Sequence, residues 1–341
     1  MSALAFELPA RLEAHAPPEA RGLERDEVRM LVTERASGRV ADRHARDLPD
    51  VLAPGDLLVI NTSATIPAAL RAARADGTEL DLHVSTALPD SDHRLVELRR
   101  DGASFRGAHA GERLALPGGG VAALRAPPRY GARLWVAELR LPAPLEAYLA
   151  RHGRPIRYRH IDGDWPLDAY QTVYATEPGS AEMPSAGRPL SERVLTALVA
   201  RGIAVAPIVL HAGVSSLEAG ELPGPEWFRV PDATARLVEA THDGAGRVIA
   251  VGTTVVRALE SVVSGDGRVA AGAGWTRLVI APDRGVRAVD GLLTGWHEPE
   301  SSHLDLLRAV GGAELVERSY RAALERGYLW HEFGDVHLIL P

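Results

Sequence analysis

The second half of the chain alternates short apolar runs with amphipathic stretches, which predicts strands and helices in turn. Ser191 is a good N-cap, with Val194, Leu195, Leu198 and Val199 on one helical face and Gly202 at the helix end. Ile203 to Leu210 then reads as a buried strand in which Pro207 implies an edge or a bend. Asp232 to Thr241 reads as a helix and Val248 to Val251 as a short buried strand. Gly252-Thr253-Thr254 reads as the turn into a helix through Ser261, and Leu278-Val279-Ile280 as another strand. Helices are expected near 302–310 and 313–326, and Val336 to Leu340 closes the chain as a strand. This alternation indicates a layered α/β domain.

Residues 66–146 carry a different pattern. β-like runs at Leu80–Ser85, Leu95–Arg99 and Arg133–Leu139 are separated by Asp-Gly, Gly-Gly-Gly and Pro-Pro breaks, with no helical period. The expectation is a small all-β barrel, 66–146, inserted into an α/β catalytic domain formed by 1–65 plus 147–341. Pro142 to Pro144 would be the return linker.

Composition narrows the chemistry. The 341 residues include no cysteine, and all 38 basic residues are arginine. Without lysine there is no Schiff base, no pyridoxal-phosphate anchor and no P-loop lysine. Without cysteine there is no thiol nucleophile, disulfide framework or thiolate metal site. No apolar run approaches the length of a membrane span, and the first residues lack a basic, apolar leader, so a cytoplasmic protein is expected. The net charge of −7 argues against a surface that binds polyanions indiscriminately. One stretch stands apart: residues 151–160 hold Arg151, Arg154, Arg157 and Arg159 and no acid. With Tyr158 among them they are candidates to contact the phosphates of RNA, although ten residues of this kind more often form a solvated surface loop.

Several strings could carry chemistry. Tyr170-Gln171-Thr172-Val173-Tyr174 offers two aromatics, with Gln171 and Thr172 between them, for a flat or cationic ligand, or simply two packed tyrosines. His211 and Gly213 follow a strand, at the carboxyl end where open α/β sheets place ligands. Gly252, Thr253 and Thr254 do the same at the next strand, and their N–H groups and hydroxyls suit a carboxylate or ribose oxygen. Thr294 and His297 precede a helix, and Asp335 precedes the last strand. His211, His297, Asp335 and Glu226 are the candidates for a general base or ligand anchor. The spacings His297/His303 and His331/His337 do not match a zinc-binding helix, and no metal is expected. No Gly-x-Ser-x-Gly elbow is present.

Taken in order, these strings resemble one family, the S-adenosylmethionine:tRNA ribosyltransferase-isomerases of queuosine biosynthesis. The resemblance runs from Phe6-Glu7-Leu8-Pro9 and Pro54–Asn61 through Ile66-Pro67-Ala68, the Tyr170 string and Leu210-His211-Ala212-Gly213. It continues through Val248–Thr254, Val256–Ser261, Asp290–Thr294, His297-x-Pro299 and Gly334-Asp335. It implies an α/β domain with an inserted β-barrel. It also implies transfer and isomerisation of the ribosyl unit of S-adenosylmethionine onto the aminomethyl group of a 7-deazaguanine in tRNA. Adenine and methionine leave and epoxyqueuosine forms. The sulfonium activates the C5′ protons and the acceptor amine is the nucleophile, so S-adenosylmethionine is a substrate and no cofactor is implied. His211 or His297 would be the base, with Asp335 and Glu260 orienting or stabilising charge. Tyr170, Gln171, Thr172, Tyr174, Gly213, Glu226, Gly252, Thr253, Thr254, Arg257 and Thr294 would form the substrate pocket.

The chain also departs from the family's pattern. Thr62, Ala64 and Ala69 stand where an Asp, a basic residue and an Arg are usual, and Ser185–Ser191 lacks the usual histidine. Gly213-Val214-Ser215-Ser216-Leu217 replaces Gly-x-Gly-Thr-Phe, and Gly224 stands for the histidine two residues before Glu226. The usual tail Tyr-Arg-Phe-Phe-Ser-Tyr-Gly-Asp becomes Tyr328-Leu329-Trp330-His331-Glu332-Phe333-Gly334-Asp335. Lost basic side chains weaken RNA contacts more than folding. Three readings therefore stand: the tRNA enzyme, an S-adenosylmethionine-using transferase or lyase with a small-molecule acceptor, and a non-catalytic ligand-binding paralogue.

Overall fold

A computed structural model describes residues 6–126, 133–214, 224–299 and 301–341. The Pro127-Pro128 break and the string Ser215-Ser216-Leu217 lie outside the described residues.

The strand Leu57–Asn61 is buried at every position, and its side chains serve two cores. Leu57 and Val59 face a core shared with Val238, Val256, Leu307 and Val316. Leu58 and Ile60 face the opposite core with Leu48, Val194 and Leu198. A strand with two apolar faces requires cover on both sides, which is the layered α/β arrangement. Leu57–Asn61 lies between Ala204–Leu210 and Val248–Val251, with Gly291–Gly295 next, all parallel. Beyond Gly291–Gly295 the nine-stranded sheet continues through Val336–Leu340, Arg29–Glu34 and Val40–His44. On the other flank it ends in Glu226–Val230 and Gly272–Thr276.

The second sheet closes on itself. Strands Ala69–Ala73, Glu79–Ala87, His93–Arg100, Arg113–Ala115, Val121–Ala126 and Leu134–Arg140 pair antiparallel in a ring. Pairing of Leu134–Arg140 with His93–Arg100 makes the closure. Alternate side chains (Leu70, Leu82, Val84, Val96, Leu98) fill the interior, and Tyr148 and Leu149 of the helix Leu145–His152 pack against the same core.

Some local expectations differ from the structure. Leu278-Val279-Ile280 is not a strand; Gly272–Thr276 is. The segment is instead pinned singly, Leu278 N–H donating to Thr276 Oγ1 at 3.1 Å and Leu278 O accepting from Arg257 Nε at 3.1 Å. Pro207 lies in an inner strand, but among the described residues Glu226–Val230 pairs there only with Val209 and Leu210, which leaves the proline flank edge-like. Ser191 does cap the helix Glu192–Ala200, accepting from Val194 N–H at 3.3 Å. Val199, counted on the apolar face, is 63% exposed. The Tyr170 string begins at the end of a short 3-10 helix, Leu167–Tyr170, and is not helical beyond it.

Candidate functional site

The carboxyl ends of the parallel strands face the barrel, and the loops that leave them enclose a cavity of about 950 Å³. Its sheet side is formed by Gly213, Gly252, Thr253, Thr254 and Thr294, and its barrel side includes Ser85, Glu97, Arg99 and Arg133. This is the crevice in which open α/β folds bind ligands.

Gly252 makes the turn from strand to helix at φ 91°, a backbone region that favours glycine. Its N–H donates to Leu293 O at 2.8 Å, which leaves Thr253 and Thr254 to open the helix Thr253–Glu260 toward the cavity. Thr254 Oγ1 accepts from Asn61 Nδ2 at 3.4 Å, and the same amide nitrogen donates to Leu210 O at 2.8 Å. One turn along the helix, Arg257 forms an ion pair with Glu226. Glu226 Oε1 also accepts from Gly213 N–H at 3.0 Å. A Cβ at Gly213 would come 2.7 Å from Ser85 Oγ, so glycine allows the barrel and this loop to meet. Glu226, Arg257 and Gly213 thus form one buried, charge-balanced wall.

Next to Thr294, His297 Nε2 lies 3.0 Å from Thr294 Oγ1, and its ring stacks on His303 with centroids 4.6 Å apart. Burial drives His297 well below the ordinary histidine range and His303 to about 4. Both are neutral imidazoles at neutral pH, able to accept a proton and weakly basic.

Several expected site residues lie elsewhere. His211 does not line the cavity; its Nδ1 is 2.8 Å from Ser63 Oγ and its ring stacks on Trp227. Burial lowers its pKa. Asp335 braces the backbone, accepting from Arg29 N–H and Leu329 N–H at 2.8 Å each, and burial raises its pKa. Glu260 accepts from Arg287 N–H at 2.5 Å and Ala288 N–H at 2.7 Å and pairs with Arg284 at 2.8 Å. Neither acid reaches the cavity, because its carboxylate is consumed by hydrogen bonds that hold loops. Gln171 grips the Thr65 backbone, accepting from its N–H at 2.9 Å and donating to its carbonyl at 2.8 Å. Thr172 is buried, and Tyr174 OH donates to Gly187 O at 3.4 Å within the core below the sheet. Of the aromatic pair only Tyr170 touches the cavity. Its ring packs on Phe333, and burial pushes its hydroxyl up to about 12.

The arginine stretch separates into unlike members. Arg154 pairs with Asp81 at 2.5 Å and Arg157 with Asp164 at 3.5 Å. Arg151 is exposed on its helix, and Arg159 is exposed at the cavity wall. The next residue, His160, turns into the cavity and joins a group the sequence reading missed: Glu13, Glu298, His331 and Glu332. His160 Nε2 is 3.0 Å from Glu332 Oε2, and its ring stacks on His331 with centroids 4.0 Å apart. The donor atoms of His160, His331 and Glu332 all lie within 4.8 Å of one another. These residues are separated by up to hundreds of positions along the chain, so no local pattern marks them.

The family described as queuosine biosynthesis protein matches residues 1–339. An S-adenosylmethionine:tRNA ribosyltransferase-isomerase of Symbiobacterium thermophilum is 38% identical over 346 residues, covering 98% of each chain. The protein of the same name from Moorella thermoacetica is 35% identical over 363 residues, again covering 98% of each. Among solved structures, an S-adenosylmethionine tRNA ribosyltransferase from Thermotoga maritima superposes with a TM-score of 0.57 at 28% identity, over 99% of this chain and 100% of that one.

Proposed function

The chain belongs to the queuosine biosynthesis protein family, and from that premise we propose that its cavity binds S-adenosylmethionine and presents it to an aminomethyl-deazaguanine in tRNA. The activity is that of a ribosyltransferase-isomerase: transfer and isomerisation of the ribosyl unit of S-adenosylmethionine in queuosine biosynthesis.

One observation supports this use of the cavity above the others. Seven positions expected to bind substrate, Gly213, Glu226, Gly252, Thr253, Thr254, Arg257 and Thr294, come from separate stretches and line one wall. The N–H groups and hydroxyls of Thr253 and Thr254 would hold ribose or carboxylate oxygens at a helix N-terminus. His297, held by Thr294, would take the C5′ proton that the sulfonium acidifies. Loss of that proton starts the rearrangement in which adenine and methionine depart and the acceptor nitrogen bonds to the ribosyl carbon. His211, Asp335 and Glu260 would act by holding loops in place. Tyr170 would close the far side. The reading calls for S-adenosylmethionine as substrate and no separate cofactor.

Adenine release tests the reading directly. The protein is incubated with S-adenosylmethionine, with and without tRNA bearing the aminomethyl base. Release that depends on that tRNA is the expected result. Release without tRNA would point to a small-molecule acceptor, and no release to a non-catalytic paralogue.

A further inference from the structure

One segment of the cavity wall leaves its own backbone unsatisfied. Leu278, Val279 and Ile280 are three consecutive apolar residues in the lining. They follow the strand Gly272–Thr276 and join no strand among the described residues. Leu278 is fixed through both of its peptide groups, its N–H by Thr276 Oγ1 and its carbonyl by Arg257 Nε. The next two residues are not. Among the described residues, neither the N–H nor the C=O of Val279 or Ile280 meets a hydrogen-bond partner. Val279 is 44% exposed, so its peptide groups can meet solvent. Ile280 is only 3% exposed and belongs to the core with Val256 and Leu307, yet it borders the cavity. Buried peptide groups are nearly always paired, and leaving a donor and an acceptor unmet at one residue is costly. An apolar wall with a few placed polar groups is the usual make-up of a small-molecule site.

We propose that the backbone of Ile280 is a specificity-determining edge that reads adenine, its N–H donating to N1 and its C=O accepting from the 6-amino group. The proposal rests on the functional reading above and fixes where the leaving base of the S-adenosyl substrate sits. Position favours adenine over the acceptor base. Arg257 ties the segment to the helix Thr253–Glu260, about one turn beyond Thr253 and Thr254. A ribose held at those two threonines carries its base towards 278–280. The acceptor base belongs to a macromolecule and must come from the open side, whereas Ile280 is set into the wall. Leu278 and Val279 supply apolar surface on which a planar base can rest. Hypoxanthine and guanine carry a donor at N1 and an acceptor at O6, the reverse of adenine. A base anchored through its ribose cannot turn over to restore the match, so the edge rejects them.

Two measurements test it on the unmodified protein. The first is calorimetric binding of S-adenosylhomocysteine against its 1-deaza, inosyl and 7-deaza counterparts. The 1-deaza and inosyl compounds should bind at least about tenfold more weakly, and the 7-deaza compound, altered on the other edge, should bind as the parent does. The second follows the Ile280 amide by NMR in protein labelled at isoleucine nitrogen. Ile280→Val, which keeps the peptide group, identifies the signal by its disappearance. S-adenosylhomocysteine should move that amide proton downfield, and the 1-deaza compound at saturation should not. Equal binding of the parent and its 1-deaza counterpart, a loss confined to the 7-deaza compound, or an Ile280 amide indifferent to the ligand overturns the subsite. Selective binding without adenine release from S-adenosylmethionine and the aminomethyl tRNA overturns the functional reading and leaves the subsite standing. Release without the selectivity does the opposite, and loss of both refutes both.

Discussion

At the residue scale, the pair that decides most is Glu226 with Arg257. Glu226 is 7% exposed and the Arg257 side chain 11%, so each charge is tolerated because the other is present. Glu226→Gln leaves a buried guanidinium facing a neutral amide and weakens its hold on Gly213 N–H. The expected loss is about 3 kcal/mol of unfolding free energy, read from the urea midpoint at constant slope. A variant as stable as wild type would show the pair to be dispensable for folding. The same scale explains why His297 was legible and His331 was not. His297 sits in a recognisable string, Thr294-Gly295-Trp296-His297, and reaches the cavity with Thr294 as its partner. His331 depends on His160 and Glu13, contacts that no local spacing encodes.

At the element scale, the turn Gly252-Thr253-Thr254 and the strands around it were legible because two-sided burial and the strand–glycine–helix order are local signals. Asp335 and Glu260 were recognisable as important, but their role was not. An acid that accepts backbone N–H groups looks the same in sequence as one that touches a ligand. Glu260 closes the helix Thr253–Glu260 by gripping the 284–288 loop. Glu260→Ala frees two N–H groups, one of them on the fully buried Ala288, and leaves Arg284 without its acid. The expected cost is about 3 kcal/mol. S-adenosylmethionine binding, measured by calorimetry, should weaken less than in Arg257→Ala, because Glu260 does not line the cavity. A larger loss of binding in Glu260→Ala would place the acid in the site after all. The false strand at Leu278–Ile280 has a similar origin: three apolar residues predict a strand, but Arg257 and Thr276 take the backbone groups a neighbouring strand would need.

At the scale of the whole molecule, charge acts in two ways. The first is acid sensitivity. Burial lowers His83 and His303 to about 4 and His337 to about 3, and His297 well below its ordinary range. A depressed folded pKa means the unfolded chain binds the proton first. The stability these groups contribute is complete above their unfolded pKa of about 6.5 and is lost as pH falls towards their folded values. Each can contribute a slope of up to about 1.4 kcal/mol per pH unit in that window. His160, raised by its bond to Glu332 against the pull of burial, opposes them with the contrary sign. The net expectation is a steep loss of stability between about pH 6.5 and about pH 4.5. Denaturant midpoints that stay flat across that range would contradict it.

The second bears on the proposed contact with tRNA, to which the four arginines of 151–160 should not contribute equally. A phosphate contact releases condensed counterions, so each lost contact lowers the salt slope of binding by about 0.7 to 0.9. Arg154 and Arg157 must first surrender Asp81 and Asp164, whereas Arg151 and Arg159 are exposed and make no ion pair among the described residues. Arg159 also stands at the cavity wall. Arg159→Ala should therefore weaken tRNA binding and reduce the magnitude of the salt slope by roughly one. Arg154→Ala should change the slope little, since it removes a cation already neutralised and leaves Asp81 exposed to repel the backbone. Filter binding or fluorescence anisotropy across a salt series distinguishes the two. Equal slopes in both variants would mean that the RNA breaks the Arg154–Asp81 pair on binding, and the stretch would then act as one continuous strip.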